Sequence, residues 1–194
     1  MIGEGSKAQG NPRFLAQKSK ALRARKTLFF PAPGIEGSPA PDFMLKDKDG
    51  KQYSLKDITT TYAVLYFYPK DNTPGCTIEA LEFNKALSVL HKLGVSVVGV
   101  SGGNEKSKKS FCEKHGLNLL LLSDSDFSAS AKYGVYGEKK FMGRAYKGIS
   151  RVTFILDKDR KILKVFDKVN PATHAAEVID FLKIGVLKDR VGKK

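Results

Sequence analysis

The chain has 194 residues and a formal net charge of +14, with 34 Lys and Arg residues against 20 Asp and Glu residues. This length allows one domain with a full hydrophobic core, and no apolar run approaches the roughly 20 residues of a membrane-spanning helix, so no membrane association is expected. Two cysteines are too few for a disulfide framework. In a chain without a visible secretory signal they predict an intracellular protein whose thiols are reactive rather than structural.

Positive charge is concentrated at the two ends of the chain. Residues 1–40 carry seven Lys and Arg residues against Glu4 and Glu36, and they run into the linker-like sequence PAPGIEGSPAP. We therefore predict a basic N-terminal extension at 1–40, a folded domain at 41–188 and a basic tail at 189–194. The extension fits a disordered arm, a nuclear signal or an organellar transit peptide, so a cytoplasmic, nuclear or organellar location stays open.

From residue 41 the chain alternates between strand and helix patterns. A short hairpin is predicted first, with a two-residue turn at Asp49 and Gly50. Continuous apolar runs at 62–68 and 95–102 predict strands buried on both faces, and residues 76–93 between them carry one helical apolar stripe. The later predicted elements are a polar helix at 104–115, a strand region at 117–124, a short helix at 126–133, a hairpin at 151–166 turning at Lys158 and Asp159, and a closing helix at 173–188. This order predicts an α/β fold in which helices flank a mixed central sheet.

The segment YPKDNTPGCT leads from the 62–68 strand into the first long helix. Ligands of α/β sheets bind beyond the carboxyl ends of the strands, so the segment has the position of a functional site. The unpaired amides and the dipole at the start of a helix favour the thiolate form of Cys76, and the thiolate is the reactive form of cysteine. Thr73 can present its hydroxyl to the sulfur or can cap the helix, and the local pattern favours the cap.

The other polar side chains form no familiar constellation. Cys112 lies in the polar helix, and a free cysteine there is most often a small buried apolar residue. Cys112 and His115 lack a second pair of ligands, while His91 and His174 lie elsewhere, so no metal is expected. Neither a glycine-rich phosphate motif nor a second cysteine close behind Cys76 is present, and no cofactor is expected.

The sequence FYPKDNTPGCTIEALEF resembles the active-site segment of peroxiredoxins, in particular the group of bacterioferritin comigratory proteins, also called PrxQ. The resemblance covers residues 40–188 and includes the run YGVYGEKKFMG. It implies a thioredoxin-like fold, often monomeric, that reduces hydrogen peroxide and organic hydroperoxides and is recycled by thioredoxin or a similar dithiol protein.

Matching positions imply roles for individual residues. The family pattern Pro-x-x-x-Thr-x-x-Cys falls on Pro69, Thr73 and Cys76. Cys76 would attack the peroxide, Thr73 would hydrogen-bond the sulfur and the peroxide, and Pro69 would shield the pocket from water. Arg151 matches the active-site arginine and would stabilise negative charge at the sulfur, although an exposed charge at a strand end would look the same in sequence. Glu79 matches a position that would orient Arg151.

The chain departs from many members of this group at the resolving cysteine. Five residues after Cys76, where such members carry that cysteine, stands Leu81. Cys112 is similar to the resolving cysteine of another subset, which implies an intramolecular disulfide. A disulfide needs Cα atoms within roughly 7 Å, and two thiols on separate helices are not expected to meet that limit in the reduced fold. We therefore expect local unwinding of the first helical turn after Cys76, and around Cys112, before the bond forms. If Cys112 stays buried, an external thiol would resolve Cys76 instead.

A hypothesis from a different class stays open beside this one. The chain could be a redox-regulated protein that associates with nucleic acid through its basic N-terminal arm, with binding that weakens as salt is added.

Overall fold

The structure is a computed structural model that describes residues 36–141 and 143–191. Most of the predicted N-terminal extension and the end of the predicted tail lie outside the described residues. From Gly37 onward the backbone is already paired with the segment around Ile162, and Glu36 binds Lys164 and the amide of Val165. The domain boundary at residue 41 stays a prediction.

The described residues form nine strands and four α-helices. The strands are β1 (Met44–Lys46), β2 (Gln52–Ser54), β3 (Tyr62–Phe67), β4 (Val95–Ser101), β5 (Leu120–Ser123), β6 (Tyr136–Phe141), β7 (Arg144–Ile149), β8 (Val152–Leu156) and β9 (Ile162–Phe166). The helices are α1 (Pro74–Lys92), α2 (Glu105–His115), α3 (Ser128–Lys132) and α4 (His174–Val191). A 3-10 turn at Leu55–Asp57 follows β2. None of the helices that the structure describes is both long and apolar enough to cross a membrane.

Seven of the strands build one mixed sheet in the order β2-β1-β5-β4-β3-β8-β9. The three central strands β5, β4 and β3 run parallel, and the outer pairs on both sides are antiparallel. Parallel central strands bring their carboxyl ends to one edge, which is where ligands of such sheets bind. The predicted α/β fold with helices on a mixed sheet is confirmed.

β3 separates the two apolar cores. All six of its residues are buried, as the continuous apolar run predicts. Val64 and Tyr66 face the cluster that also contains apolar residues of α1, α2 and α4. Leu65 and Phe67 face the second cluster, to which α3 contributes Ala129. One face of β3 is thus covered by three helices, and the loop that follows its carboxyl end leads into α1.

Two hairpin turns have the same construction. The strand pair β1–β2 closes at Lys46 and Gln52, so a five-residue loop connects them and the predicted two-residue turn is wrong. The Asp47 carboxylate accepts the amides of Asp49 at 2.9 Å and Lys51 at 3.0 Å, which satisfies the backbone of the longer loop. The loop between β8 and β9 repeats this arrangement around Asp157, with the sequence DKDRK in place of DKDGK.

The hairpin of β6 and β7 was not predicted. It forms a separate two-stranded sheet, and β7 is exposed over its first four residues. Neither strand contains an apolar run or a regular alternation, which are the signals that reveal strands in sequence.

Candidate active site

The loop 68–73 joins the carboxyl end of β3 to the first turn of α1. Thr73 is the N-cap residue with an extended backbone, and the amide of Thr77 is the first to bond back, 2.9 Å from the Thr73 carbonyl oxygen. The N–H groups of Gly75 and Cys76 therefore precede the hydrogen-bonding ladder of the helix, at the end that carries its partial positive charge. The predicted strand-to-helix position of Cys76 is confirmed.

A guanidinium group reaches Cys76 from the connection between β7 and β8. Arg151 Nη2 donates to Cys76 Sγ at 3.3 Å, and Arg151 Nη1 forms an ion pair with Glu79 Oε2. Cys76 and Glu79 are 2% and 1% exposed, one helical turn apart on the inner face of α1. The structure thus brings Arg151, which follows Glu79 by 72 residues, to a position between the sulfur of Cys76 and the carboxyl group of Glu79.

Burial makes the carboxyl group of Glu79 a weaker acid than an exposed glutamate. It raises the pKa of Glu79 to about 7, against the opposing effect of the Arg151 charge. Burial alone would lower the pKa of Arg151, but Glu79 and Cys76 hold it above its usual range. Glu79 Oε1, the oxygen that does not face the arginine, has no hydrogen-bond partner among the described residues. The site therefore holds one lasting positive charge beside a carboxyl group that titrates near neutral pH.

Thr73 and Pro69 lie on the loop side of the cysteine. The Thr73 hydroxyl donates to the Lys70 carbonyl oxygen at 3.0 Å and makes no side-chain cap bond to the helix. Its oxygen can still accept a hydrogen bond, whereas a bond to the sulfur would require rotation of the side chain. Pro69 is exposed, next to the buried Tyr68. The roles predicted for these two residues stay predictions.

Cys112 lies on the buried face of α2 and is 5% exposed. Both cysteines are free, and they belong to the same apolar cluster, which also contains Tyr66, Tyr68 and Phe111. Burial raises the pKa of the Cys112 thiol, so it is a weaker nucleophile in this arrangement than in solution. A disulfide between the two cysteines stays a prediction.

One buried ion pair beside the site was not predicted. Lys108 of α2 is fully buried, and its Nζ lies 2.8 Å from Oδ2 of Asp71 in the loop 68–73. The signal was present in the helical spacing, because Lys108 precedes Phe111 and Cys112 by three and four residues and so shares their buried stripe.

Two further polar residues of the core were also missed. Tyr66 is buried, and its hydroxyl has no hydrogen-bond partner among the described residues; burial raises its pKa well above the usual range, and Glu79 adds to the effect. His174 Nε2 lies 2.8 Å from Thr153 Oγ1, and burial lowers the pKa of this histidine to about 4. Within the part of the chain that the structure describes, no group of three or more His, Cys, Asp or Glu side chains could hold a metal ion.

Comparison with known sequences gives consistent matches. The AhpC/TSA family matches residues 37–165 of the chain. Peroxiredoxin Bcp of Escherichia coli strain K12 is 43% identical over 147 residues, which cover 76% of this chain and 94% of that protein. A putative peroxiredoxin bcp of Helicobacter pylori is 43% identical over 146 residues, which cover 75% of this chain and 96% of that protein.

Comparison with solved structures agrees with the sequence matches. The Xanthomonas campestris bacterioferritin comigratory protein, described for its alkyl peroxide reduction activity, aligns with a TM-score of 0.70 and 36% identity, covering 74% of this chain and 92% of that chain. Peroxidoxin BcpB of Mycobacterium tuberculosis aligns with a TM-score of 0.69 and 30% identity, covering 77% of this chain and 97% of that chain. These matches confirm the predicted thioredoxin-like fold.

Proposed function

Because the chain belongs to the AhpC/TSA family of peroxiredoxins, which are thiol peroxidases, we propose that Cys76 is the thiol that reduces hydroperoxides. The observation that carries the proposal is the 3.3 Å contact between Arg151 Nη2 and Cys76 Sγ at the start of α1. A guanidinium and the unpaired amides of a helix terminus both stabilise negative charge on the sulfur. The same groups stabilise the charge that develops on the peroxide oxygens during the reaction.

In the first step the Cys76 thiolate attacks one oxygen of the hydroperoxide. The O–O bond breaks as an S–O bond forms, so the sulfur loses two electrons and the oxygen pair gains them. Cys76 becomes a sulfenic acid, and the leaving hydroxide or alkoxide takes a proton from solvent to depart as water or alcohol. Thr73 accepts a hydrogen bond from the incoming peroxide, and Pro69 limits access of water. Glu79 orients Arg151 through their ion pair.

In the second step Cys112 resolves the sulfenic acid. Its sulfur attacks Cys76 Sγ, an S–S bond forms, the S–O bond breaks, and the oxygen leaves as water with the proton of the Cys112 thiol. Two observations support this role: both cysteines lie in one apolar cluster, and Cys112 is the only other cysteine of the chain. Peroxiredoxin Q of Xanthomonas campestris has also been solved with either of two cysteines replaced by serine, and those two cysteines have the same separation as Cys76 and Cys112.

Thioredoxin or a similar dithiol protein then reduces the disulfide and itself becomes a disulfide. The substrates are hydrogen peroxide and organic hydroperoxides, and the physiological role is antioxidant defence. The bond is intramolecular, so a monomer can complete the cycle. A compartment whose thiol pool keeps Cys76 and Cys112 reduced, inside the cell, suits this chemistry.

Single-turnover measurements test the proposal. Reduced wild type should consume one equivalent of hydrogen peroxide or cumene hydroperoxide rapidly, and Cys76→Ser should consume none above the background rate. Cys112→Ser is the matched control, because it also removes one thiol; it should consume the first equivalent at the wild-type rate and stop at the sulfenic acid. Unimpaired consumption by Cys76→Ser would contradict the proposal.

Mass spectrometry without reducing agent separates the two ways of resolving Cys76. After one equivalent of peroxide, a peptide that links Cys76 to Cys112 supports the internal disulfide. A lasting sulfenic acid at Cys76 beside a free Cys112 would instead assign resolution to an external thiol.

A further inference from the structure

The buried ion pair between Asp71 and Lys108 joins the two segments that carry the cysteines. Asp71 lies in the loop 68–73 that leads into Cys76, and Lys108 lies one helical turn before Cys112 in α2. The two side chains are 3% and 0% exposed, and their charged atoms are 2.8 Å apart. The proposed catalytic steps use neither residue.

Every polar atom of the pair has a partner. Lys108 donates to Asp71 Oδ2, to Ser101 Oγ at 3.0 Å and to the Gly102 carbonyl oxygen at 2.7 Å, which uses all three of its N–H groups. The Asp71 carboxylate also accepts the hydroxyls of Tyr68 at 2.7 Å and Ser107 at 2.6 Å. The pair thereby ties the loop 68–73 both to the end of β4 and to α2.

A second contact joins the same two segments nearer the surface. Asn72 Oδ1 of the loop lies 3.2 Å from His115 Nε2 at the end of α2. Asn72 has a φ of 60°, a left-handed conformation that asparagine tolerates better than most residues. The loop before Cys76 is therefore held against α2 at two successive residues.

We infer that Asp71 and Lys108 are positioning residues that set how readily the two cysteine segments separate during turnover. The inference rests on the proposed function, because it concerns the interval between the sulfenic acid and the disulfide. If opening moves the loop 68–73 away from α2, or unwinds α2 from that loop, Asp71 and Lys108 come apart. Separation of a buried ion pair leaves each charge without its partner until water reaches it, so the intact pair favours the closed arrangement.

The closed arrangement decides the fate of the sulfenic acid. We expect Cys112 to capture it after opening, because its thiol is buried on α2, with formation of the S–S bond and release of water. In the closed arrangement a second hydroperoxide competes: the Cys76 sulfenate attacks it, another O–O bond breaks, and Cys76 becomes a sulfinic acid as water or alcohol leaves. A pair that favours the closed arrangement therefore shifts the balance toward sulfinic acid when peroxide is in excess.

The test replaces both members of the pair together. In the variant Asp71→Asn with Lys108→Met no buried charge is left alone, whereas either single substitution would leave one and could prevent folding. Ser107→Ala, which removes one hydrogen bond to Asp71, is a milder variant. Val98→Ala is the matched control for general destabilisation, because Val98 lies in the apolar cluster on the other face of the sheet.

Intact-protein mass spectrometry after a series of hydrogen peroxide concentrations gives the ratio of disulfide to sulfinic acid. In the double variant the peroxide concentration that gives half sulfinic acid should rise on the order of tenfold, since the opening that precedes capture is easier. Ser107→Ala should shift in the same direction by less, and Val98→Ala should match wild type. The same midpoint in the double variant and in Val98→Ala overturns the inference.

Hydrogen exchange of the reduced proteins keeps this inference separate from the proposed function. Amides of residues 71–77 and 105–115 should exchange faster in the double variant than in Val98→Ala. If wild-type Cys76 forms no sulfenic acid, the proposed function fails, and the exchange comparison alone decides whether the pair holds the segments together. Equal exchange in the two variants overturns that link.

Discussion

At the scale of single residues, Arg151 serves two partners at once. One nitrogen of its guanidinium contacts Cys76 Sγ at 3.3 Å and another pairs with Glu79. Lysine keeps the charge but concentrates it on one nitrogen, so it cannot occupy both positions. Arg151→Lys should therefore slow peroxide consumption roughly a hundredfold, the scale for loss of one donor to a developing oxyanion. Single-turnover consumption by reduced protein measures the change.

Arg160→Lys is the matched control for that substitution. Arg160 lies in the loop between β8 and β9, where its guanidinium contacts the carbonyl oxygens of Thr60 and Asp157. The same chemical change there should leave the peroxide rate at the wild-type value. If Arg151→Lys also left the peroxide rate at the wild-type value, the arginine would have no part in the reaction.

The acidity of Glu79 predicts how stability depends on pH. Its pKa rises from an ordinary 4.5 to about 7 in the folded protein, so the fold binds this proton more tightly than the unfolded chain does. The resulting stabilisation is complete below pH 4.5 and is lost as the pH rises to about 7, with a total of about 3 kcal/mol at most. The side chain of the Glu79→Gln variant cannot titrate. Between pH 4.5 and about 7 the free energy of unfolding of this variant should therefore fall less than that of wild type, by up to about 3 kcal/mol.

Urea unfolding of the reduced proteins at the two ends of the interval measures this difference. His174 acts in the opposite sense, because burial lowers its pKa to about 4 and its protonation in the unfolded chain weakens the fold as the pH falls. Both proteins contain His174, so its contribution cancels in the comparison. Parallel curves for wild type and Glu79→Gln would mean that the carboxyl group titrates alike in both states.

At the scale of elements, the first turn of α1 packs beside the arginine at Gly75, with space for one methyl group. A Cβ at Gly75 would lie 3.4 Å from Arg151 Nη2 and 3.7 Å from Pro171 Cγ, which is ordinary contact for a methyl group. Gly75→Ala should therefore leave peroxide consumption close to wild type and stabilise the protein by up to about 1 kcal/mol. Gly75→Val adds two methyl groups that must compete with the guanidinium, and it should slow the reaction at least about tenfold.

The contrast between the two substitutions is the test, with urea unfolding and single-turnover rates measured on both. A loss of rate in Gly75→Val without a matching loss of stability would place the damage at Arg151. Equal rates in the two variants would show that the helix start does not constrain the arginine.

The elements differ in how well the sequence predicts them, and the difference has a physical cause. β3 is predicted by a continuous apolar run, because both of its faces are buried. α1 is predicted by apolar residues at helical spacing, because only one stripe of the helix is buried. The hairpin of β6 and β7 is held by backbone pairing and has an exposed strand, so it leaves no such spacing. The five-residue loop at Asp47 also escapes prediction, because a side chain that satisfies loop amides overrides the preference of Asp-Gly for a two-residue turn.

The site shows the same division. The helix-start position of Cys76 follows from local sequence, since Pro-Gly-Cys stands between an apolar strand and an apolar stripe. The contacts of Arg151 with Cys76 and Glu79 depend on the pairing of β3 with β8, which sequence spacing does not reveal; only the family resemblance indicated them. Lys108 was missed because a lysine in a polar helix is expected to face solvent, and its burial depends on Asp71 in a distant loop.

At the scale of the whole molecule, the proposed catalytic cysteines lie on one face of the sheet and the second apolar cluster lies on the other. Both cysteines belong to the apolar cluster covered by α1, α2 and α4, and Glu79 lies on the buried face of α1. The cluster on the other face contains Leu122, Phe154 and Ala129, with none of the proposed catalytic residues. Damage to the two faces should therefore have different consequences, even at a similar cost in stability.

Leu122→Ala and Phe83→Leu compare the two faces. Leu122 is fully buried on the face away from the site, and its truncation should cost about 2–5 kcal/mol of unfolding free energy while leaving the peroxide rate of the folded protein unchanged. Phe83 lies one turn beyond Glu79 on α1, and its ring stacks on Tyr66 at 4.9 Å and meets His174 edge-on at 5.5 Å. Phe83→Leu keeps an apolar residue and should cost about 0.5–3 kcal/mol of unfolding free energy. It should also slow peroxide consumption about tenfold, because it leaves space behind Cys76, Glu79 and Arg151. Peroxide rates are measured at low temperature, where circular dichroism shows that both variants are folded, and urea unfolding gives the stability of each. If the rate falls in proportion to the loss of stability in both variants, the two faces of the sheet do not differ in their effect on the site.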